Sequence, residues 1–209
     1  MKIVIVGAGG FAKESAFLVS RLSDFELIGF VDDDTTLAPM ILDKPVLGNI
    51  DSLLSYSDKI GVAIGIAKLA IKKEIYTKLK ANPNLFFPNL IDSTALVGLE
   101  VDLGIGNILM PNITYTADIS IGNFNMINIS STIGHDSIIG NFNAIYPNVN
   151  ISGMVKIGDD NEIGVGSKII QSIKIGNNNI VGAGSVVIRN ITNGTKSVGV
   201  PTKIIESWD

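Results

Sequence analysis

The chain has 209 residues, enough for two modest domains, with 46% hydrophobic but only 6% aromatic residues. Its net charge of −4 argues against nucleic-acid binding, which would usually require a basic surface. Cysteine is absent, which excludes disulfides and thiolate metal sites. No run approaches the ~20 apolar residues of a membrane-spanning helix. We therefore expect a cytoplasmic protein without membrane insertion.

The chain begins with the pattern of a small α/β domain. A buried strand over residues 2–6 leads into the glycine turn Gly7-Ala8-Gly9-Gly10 and an amphipathic helix over residues 11–22. A second strand, over residues 26–31, ends in the acidic run Asp32-Asp33-Asp34. A strand, a glycine turn and a helix are typical of the phosphate-binding start of nucleotide-binding folds, in which an acidic residue after the second strand often contacts a ribose.

The alternation of strands and helices continues up to Pro88, the predicted domain boundary. We expect, in order, a helix over 51–56, a strand over 59–66 with Gly65 near its end, a helix over 67–79 and a strand over 85–87. The sequence therefore predicts a Rossmann-like nucleotide-binding domain over residues 1–87 and a second domain over residues 88–209.

The glycine turn also permits other interpretations. Ala12 stands where the third glycine of the G-x-G-x-x-G pattern would be, and the glycines can equally serve only to let strand and helix pack closely. A domain of this length suits one nucleotide rather than a dinucleotide, which argues against an oxidoreductase.

The second domain carries a six-residue repeat. An isoleucine, or finally a valine, recurs at positions 121, 127, 133, 139, 145, 151, 157, 163, 169, 175, 181 and 187. Every third member from Ile121 to Ile175 precedes a glycine, as in Ile121-Gly122 and Ile139-Gly140. A triangular parallel β-helix satisfies this pattern, because each hexad forms one flat side and three hexads complete one coil around an interior of β-branched side chains.

A second column of mostly small residues lies four positions after each inward residue. It consists of Asn125, Ser131, Ser137, Asn143, Val149, Val155, Asn161, Ser167, Ile173, Asn179 and Ser185, with Ile173 as the exception in size. We expect these side chains at tight corners, and we expect the chain to turn at Gly-Asn pairs such as Gly122-Asn123, since both residues tolerate positive φ. The irregular repeat over residues 91–115 indicates either an imperfect first coil or a loop that leaves it. The sequence at residues 198–201 predicts a turn that closes the last coil.

His135, the only histidine of the chain, follows the inward Ile133 by two positions and therefore lies at a corner. Stacking of successive coils, three hexads apart in sequence, places Ala117 below it and Gly153 above it, which leaves room around the ring. One interpretation is a general base supported by Asp136, if the corner turns both side chains together; the other is an ordinary surface histidine. A metal site is not expected, because one histidine without cysteine leaves only carboxylates as further ligands.

The chain as a whole resembles the sugar O-acyltransferase group of the hexapeptide-repeat transferases. The resemblance rests on the glycine turn, the acidic residues after the second strand, the hexads, Asn128 ahead of Gly134-His135-Asp136, and the closing Gly199-Val200-Pro201. The group includes sialic acid O-acetyltransferases and N-acetyltransferases that act on nucleotide-linked 4-amino sugars in surface glycan biosynthesis.

The resemblance implies a left-handed β-helix, a homotrimer and acetyl-CoA as the acetyl donor. It also implies that His135 takes a proton from the acceptor, that Asp136 supports the imidazole, that Asn128 touches the sugar and that the backbone N–H of Gly153 holds the thioester oxygen. The acceptor's nucleotide would lie over Gly7, Gly9, Gly10, Asp32, Asp33 and Gly65. The acetyl-CoA would contact Ala144, Gly153, Val165, Gly182 and Gly184.

Two departures from the group's pattern bear on function. Ala144 stands where many relatives carry a second histidine, and Gly10-Phe11-Ala12 stands where many have Gly-His-Gly. We expect N-acetylation of a nucleotide-linked 4-amino sugar, with O-acetylation of sialic acid or a related sugar as the alternative. A non-catalytic, nucleotide-binding scaffold is a further alternative from a different class of protein.

Overall fold

The computed structural model describes residues 1–208 and divides the chain into two compact units, Met1–Leu90 and Ile91–Asp209. The division falls shortly beyond the boundary expected at Pro88. Among the described residues, no helix has both the length and the apolarity needed to cross a membrane.

The first unit is a parallel sheet flanked by two helices. Its elements are β1 (Lys2–Val6), α1 (Gly10–Ser20), β2 (Glu26–Val31), β3 (Met40–Ile41), β4 (Lys44–Gly48), a 3-10 helix (Ile50–Ser55), β5 (Ile60–Ile64), α2 (Leu69–Leu79) and β6 (Leu85–Phe86). The strands lie in the order β3-β4-β2-β1-β5-β6, all parallel except that β3 and β4 are antiparallel. The predicted strands and helices are thus confirmed, with small shifts of their ends, except that the helix expected over 51–56 is a 3-10 helix.

The hairpin of β3 and β4 was not predicted. Its strands contain no long apolar run: β3 has two residues, and β4, between β3 and β2, contains Pro45, which has no N–H to donate, and Leu47, which is 41% exposed. In contrast, four consecutive residues of the central β1, Ile3 to Val6, are fully buried, which explains why its apolar pattern is so clear.

The second unit is a left-handed parallel β-helix, as predicted. After β7 (Leu90–Ile91), two longer strands, β8 (Leu96–Leu103) and β10 (Thr114–Ile121), enclose β9 (Ile108–Leu109). Two-residue strands follow: β11 (Met126–Ile127), β12 (Thr132–Ile133), β13 (Ile138–Ile139), β14 (Ala144–Ile145), β15 (Asn150–Ile151), β16 (Lys156–Ile157), β17 (Glu162–Ile163), β18 (Lys168–Ile169), β19 (Lys174–Ile175), β20 (Ile180–Val181) and β21 (Val186–Val187). The hairpin of β22 (Thr195–Val198) and β23 (Lys203–Ser207) ends the unit.

Strands of successive coils pair in register at the predicted spacing of three hexads, so that Ile133 pairs with Ile151 and Ile151 with Ile169. The same register joins β8 to β10, so residues 91–115 belong to a first coil rather than to a loop. Val97 holds the inward phase there but is 43% exposed, because β8 is an edge strand.

The compact column predicted for the corners is buried, and its asparagines form a hydrogen-bonded ladder. Asn125, Asn143 and Asn161 are fully buried, and each donates its backbone N–H and its side-chain Nδ2–H to the Oδ1 of the asparagine one coil before it. The ladder reaches back to Asn107 and forward through Asn179 to Thr195. These polar groups can be buried because each coil supplies the partner of the next.

The chain bends at the asparagine of each Gly-Asn pair and at the residue after it, as predicted, but neither residue of the pair has the positive φ. Positive φ, between 52° and 72°, occurs three positions after each inward residue from Ile121 to Val181, at residues such as Phe124 and Asp136. Gly122 is needed for another reason: a β-carbon there would lie 2.7 Å from the carbonyl oxygen of Gly140 in the next coil. The glycine therefore permits close stacking of the coils, while the residue two positions later makes the turn.

The last coil is shorter than the others. Ile191 pairs with the inward Ile175, and Ser197 pairs with the inward Val181, so each pair spans a shorter stretch of chain than the three hexads of the earlier coils. The predicted turn at residues 198–201 is confirmed as the connection between β22 and β23. Ser197 thus holds an inward position, where earlier coils place isoleucine or valine.

Candidate functional site

His135 and Asp136 meet at the corner that follows β12. Asp136 has φ of 58°, and this left-handed residue brings together two side chains that an extended strand would direct to opposite faces. The Nδ1 of His135 lies 2.5 Å from Oδ2 of Asp136, and each side chain is 54% exposed. The corner therefore produces the pairing on which the prediction of a general base depended.

The coil above His135, at the corner after β15, packs closely against the imidazole. A β-carbon at Gly153 would lie 2.5 Å from Nε2 of His135, and the backbone N–H of Met154 donates to the carbonyl oxygen of His135 over 2.7 Å. Below, the N–H of Asp136 donates to the oxygen of Ala117 over 3.1 Å. Ala117 and Gly153 are therefore the neighbours of His135, as predicted. Residue 153 must be glycine because a β-carbon there would collide with the imidazole ring.

This arrangement favours one role for each ring nitrogen. A carboxylate only accepts hydrogen bonds, so ionised Asp136 accepts from Nδ1–H of His135. The other nitrogen, Nε2, then carries the lone pair and can accept a proton. The pair therefore has the chemistry of an oriented general base.

A cavity of about 440 Å³ opens beside the carboxylate of this pair. Its wall consists of Asp118, Ser120, Asp136, Ser137, Ile138, Met154 and Lys156. The volume lies within the usual range for small-molecule sites. Sequence reasoning missed Asp118 and Lys156, although the spacing of three hexads places Asp118 one coil below Asp136.

The other residues expected near the sugar and acetyl-CoA lie on a different part of the β-helix. Asn128 follows β11 and is 5% exposed, with its Oδ1 accepting from the N–H of Ile129 over 2.7 Å. Val165 is 49% exposed, while a β-carbon at Gly182 would lie 2.6 Å from Cγ1 of Val198. Gly184 has φ of 66° and open space around it.

Ala144, on β14, is completely buried. Its methyl group has no exposed surface that a ligand could contact within one chain, which does not fit the predicted contact with acetyl-CoA.

Tyr146 lies one position after β14. Its hydroxyl donates to Oε2 of Glu162 over 3.3 Å, and burial together with the carboxylate raises the pKa of Tyr146.

The second unit therefore does not bring all its predicted site residues together. His135, Asp136 and Gly153 form one cluster at the corner after β12 and β15. Asn128, Ala144, Val165, Gly182 and Gly184 lie on the preceding side and corner, after β11, β14, β17 and β20. One hexad separates the two groups, roughly 20 Å of extended chain.

In the first unit, the residues predicted to bind the nucleotide lie at the carboxyl ends of β1, β2 and β5. Ligands of open α/β sheets bind at this edge. Gly7 has φ of 100°, and its N–H donates to the oxygen of Val31 over 2.8 Å. Gly9 precedes α1 and Gly10 begins it, and β-carbons on both would meet only open space. The N-terminus of α1 is thus accessible to a ligand.

Other members of this set have structural partners. Oδ1 of Asp33 accepts from the N–H of Ile50 over 2.9 Å, and Oδ1 of Asp32 accepts from the N–H of Asp34 over 2.9 Å. A β-carbon at Gly65 would lie 2.8 Å from the α-carbon of Ala12, so this glycine permits close packing of α1 on the sheet. Gly65 therefore has the packing role that the sequence left open, whereas Gly9 and Gly10 have open space around them.

Across residues 1–208, no group of three or more histidine, cysteine, aspartate or glutamate side chains is placed to hold a metal ion.

Two family models match the chain. The PglD N-terminal domain matches residues 2–79, and the bacterial transferase hexapeptide with six repeats matches residues 154–189. No curated protein sequence matches it significantly.

Several solved structures match over nearly the whole chain. WeeI from Acinetobacter baumannii AYE is 30% identical, with a TM-score of 0.88 over 98% of this chain and 100% of that one. PerB from Caulobacter crescentus, solved with CoA and GDP-perosamine, is 28% identical, with a TM-score of 0.91 over 99% and 98%. The acetyltransferase domain of PglB from Neisseria gonorrhoeae FA1090, solved with acetyl coenzyme A, is 27% identical, with a TM-score of 0.91 over 98% of both chains.

Proposed function

Since this chain belongs to the hexapeptide-repeat acyltransferases with a PglD-type N-terminal domain, and is an acetyltransferase with acetyl-CoA as its donor, we propose that its acceptor is the amine of a nucleotide-linked 4-amino sugar. We place the reaction in the cytoplasm, in surface glycan biosynthesis.

One observation carries this proposal. The 2.5 Å contact between His135 and Asp136 creates an oriented base on a chain that matches PerB, whose structure holds CoA and GDP-perosamine, over nearly its full length. A sugar amine attacks a thioester only as the free base, so it needs a group that accepts its proton. The nucleotide-sized first unit has a use when the acceptor carries a nucleotide.

In the proposed reaction, Nε2 of His135 accepts a proton from the acceptor nitrogen as this nitrogen attacks the thioester carbonyl carbon. A carbon–nitrogen bond forms, the carbon–sulfur bond breaks, and the thiolate of CoA leaves and takes the proton held by Nε2 of His135. Asp136 holds the imidazole in the required tautomer and stabilises its protonated form. The backbone N–H of Gly153, beside the ring, donates to the carbonyl oxygen as negative charge develops on it.

We further propose that the complete site forms in a homotrimer. The cluster of His135, Asp136 and Gly153 and the group around Val165 are separated by one side of the prism in a single chain. Neighbouring prisms can bring the first cluster of one subunit to the second group of another. The two groups then form the walls of one acetyl-CoA site.

The identity of the acceptor is tested by measuring the free thiol released from acetyl-CoA in the presence of each candidate. The candidates are UDP-, dTDP- and GDP-linked 4-amino sugars and free or CMP-linked sialic acid. We expect turnover with an amino-sugar nucleotide. Turnover with sialic acid alone would replace the proposal by O-acetylation, which is the alternative that the sequence left open.

The role of His135 is tested by His135→Ala, which should lower kcat by about a hundredfold or more. Glu74→Ala is the control, because Glu74 is an exposed residue of α2 in the first unit and belongs to neither group of candidate site residues. Both variants should keep the circular dichroism spectrum and the elution volume of the wild type. Near-normal turnover of His135→Ala would exclude the proposed base.

A further inference from the structure

The last strand of the β-helix unit, β23, is exposed along its whole length. All five of its residues, Lys203–Ser207, are exposed. Two of them are adjacent isoleucines at the middle of the strand, with Ile204 53% and Ile205 60% exposed. In a single chain, the centre of this strand is therefore an apolar surface in contact with water.

β23 also has a free edge. It stands first in the order of its eight-stranded sheet and pairs, antiparallel, only with β22. Within residues 1–208, no strand lies on its other side. Ile205 is the one residue of β23 between Ile204 and Glu206 that has no counterpart in β22. The N–H and C=O groups along such an edge can pair with a strand of another chain.

The charges at the two ends of β23 determine which strand fits beside it. Lys203 begins the strand, and Glu206 lies next to its last residue. When two copies of β23 pair antiparallel, the lysine end of each lies alongside the glutamate end of the other. Parallel pairing would bring like charges together, which is unfavourable. The antiparallel strand of a second copy is therefore complementary to this edge.

The only ion pair that Glu206 makes among the described residues leaves it available for this contact. Its Oε2 lies 3.9 Å from Nζ of Lys196, and its side chain is 61% exposed. An exposed pair at this distance contributes little to stability. A second cation can approach the same carboxylate from the free edge of the strand.

We propose that β23 is a docking surface for a second copy of this chain, which it binds by antiparallel strand pairing across a two-fold axis. Main-chain hydrogen bonds continue the sheet from one copy into the other. The isoleucines of the two strands cover each other, and Lys203 of each copy lies near Glu206 of the other. A two-fold interface of this kind closes after two copies, so it gives a defined assembly rather than a fibre.

The strength of the interface depends on how many strand pairs form at once. A single pair of five-residue strands buries less than the roughly 1,200 Å² of a stable interface. In the proposed homotrimer, three-fold symmetry places three copies of β23 at one height along the axis. Two trimers can then form three strand pairs that act together. The inference therefore predicts a hexamer for a chain that forms trimers, and a dimer for a chain that does not.

The test is sedimentation velocity of the full chain over a wide range of concentrations, with charge reversals on β23. Lys203→Glu and Glu206→Lys each bring like charges together across the two-fold axis. We expect each to weaken the association about tenfold or more. The double variant should restore it, because its strand ends are again complementary.

Two controls separate this effect from others. Lys174→Glu makes the same change of charge on β19, away from the edge. Lys196→Gln removes the ion pair with Glu206 while β23 keeps its sequence. Both should sediment as the wild type does. All variants should keep the circular dichroism spectrum of the wild type, which shows that the β-helix remains folded.

The proposal is supported if the mass of the wild type is twice that of each single variant and the double variant recovers it. A wild type that stays a single trimer or monomer at every concentration would overturn it. So would a double variant that remains dissociated, because the partner of β23 would then be another segment. Single variants that reduce trimers to monomers would place β23 inside the trimer and would equally overturn the proposal. No acetyl-CoA or acceptor is present in these measurements, so their outcome is independent of the proposed function.

Discussion

The imidazole of His135 lies so close to the α-carbon of Gly153, one coil further along the β-helix, that a β-carbon there would be 2.5 Å from Nε2. Real β-carbons do not approach other atoms this closely, so any larger residue at this position must displace the ring. The imidazole is therefore positioned by two groups, the carboxylate of Asp136 and the backbone of Gly153.

Gly153→Ala should inactivate the enzyme without unfolding it. The methyl group meets the ring of His135, which can move, whereas the methyl group of Gly134→Ala meets the backbone nitrogen of Gly153 at 2.6 Å. We expect a loss of kcat of about a hundredfold for Gly153→Ala, with a near-normal melting temperature. Gly134→Ala should instead lower the melting temperature. Full activity of Gly153→Ala would show that the ring position does not limit turnover.

The asparagine ladder should be a major source of stability. Oδ1 of Asn143 accepts from the N–H and the Nδ2–H of Asn161 over 2.9 and 3.0 Å, and all these groups are buried. Asn143→Ala leaves the backbone N–H of Asn161 without an acceptor and its Nδ2 with only the carbonyl oxygen of Asp159, and should lower the free energy of unfolding by roughly 2–4 kcal/mol.

Ser137→Ala is the control for the ladder, because this hydroxyl makes only long contacts of 3.3 Å to Ser152 and Val155. It should cost less than about 1.5 kcal/mol in urea denaturation. Both variants should be compared at one chain concentration, since the stability of the proposed homotrimer would depend on it. Equal effects of the two substitutions would contradict a special role of the ladder.

Lys72 should make stability depend on pH in the alkaline range. This residue of α2 is 2% exposed, and burial lowers the pKa of its ammonium from 10.5 to about 8. Between these values the unfolded chain binds more protons than the folded chain, so the free energy of unfolding rises as pH increases, by about 3 kcal/mol over the window.

Lys72→Met should remove this rise, because it keeps much of the volume of the side chain without a titrating group. The measurement is urea denaturation of both proteins at pH 8, 9 and 10, in which the difference between them isolates Lys72 from other groups. The wild type should gain stability relative to the variant at each step. Parallel profiles would mean that the pKa of Lys72 is the same in the folded and unfolded states.

Tyr115→Phe should stabilise the β-helix. Tyr115 holds the inward position that pairs with Ile133, is 1% exposed, and its hydroxyl has no hydrogen-bond partner among the described residues. Burial also raises the pKa of Tyr115. Removing this hydroxyl should raise the free energy of unfolding by about 1–2 kcal/mol. Tyr146→Phe is the control, because it loses the hydrogen bond to Glu162 and should bring no such gain. Both variants are compared with the wild type by urea denaturation. A lower urea midpoint for Tyr115→Phe than for the wild type would show that the hydroxyl of Tyr115 is paired.

The sequence by itself determined the architecture of the second unit and the chemistry at its corner. Side chains that stack in a β-helix recur at one fixed spacing, so the column through Ile133, Ile151 and Ile169 can be read without coordinates. The same spacing put Gly153 over His135. In the first unit, the buried central strands were equally clear, because burial on both faces requires an unbroken apolar run.

Only the tertiary structure decided matters that depend on neighbours outside the repeat or on local dihedral angles. The positive φ lies at Asp136 and its counterparts rather than at the Gly-Asn pairs, because stacking of the coils requires the glycines for close contact. The use of Asp33 by the N–H of Ile50 joins residues with no periodic relation. The shortening of the last coil, which brings Ser197 inside and Arg189 and Lys203 to one cavity, breaks the very period on which the sequence argument depends.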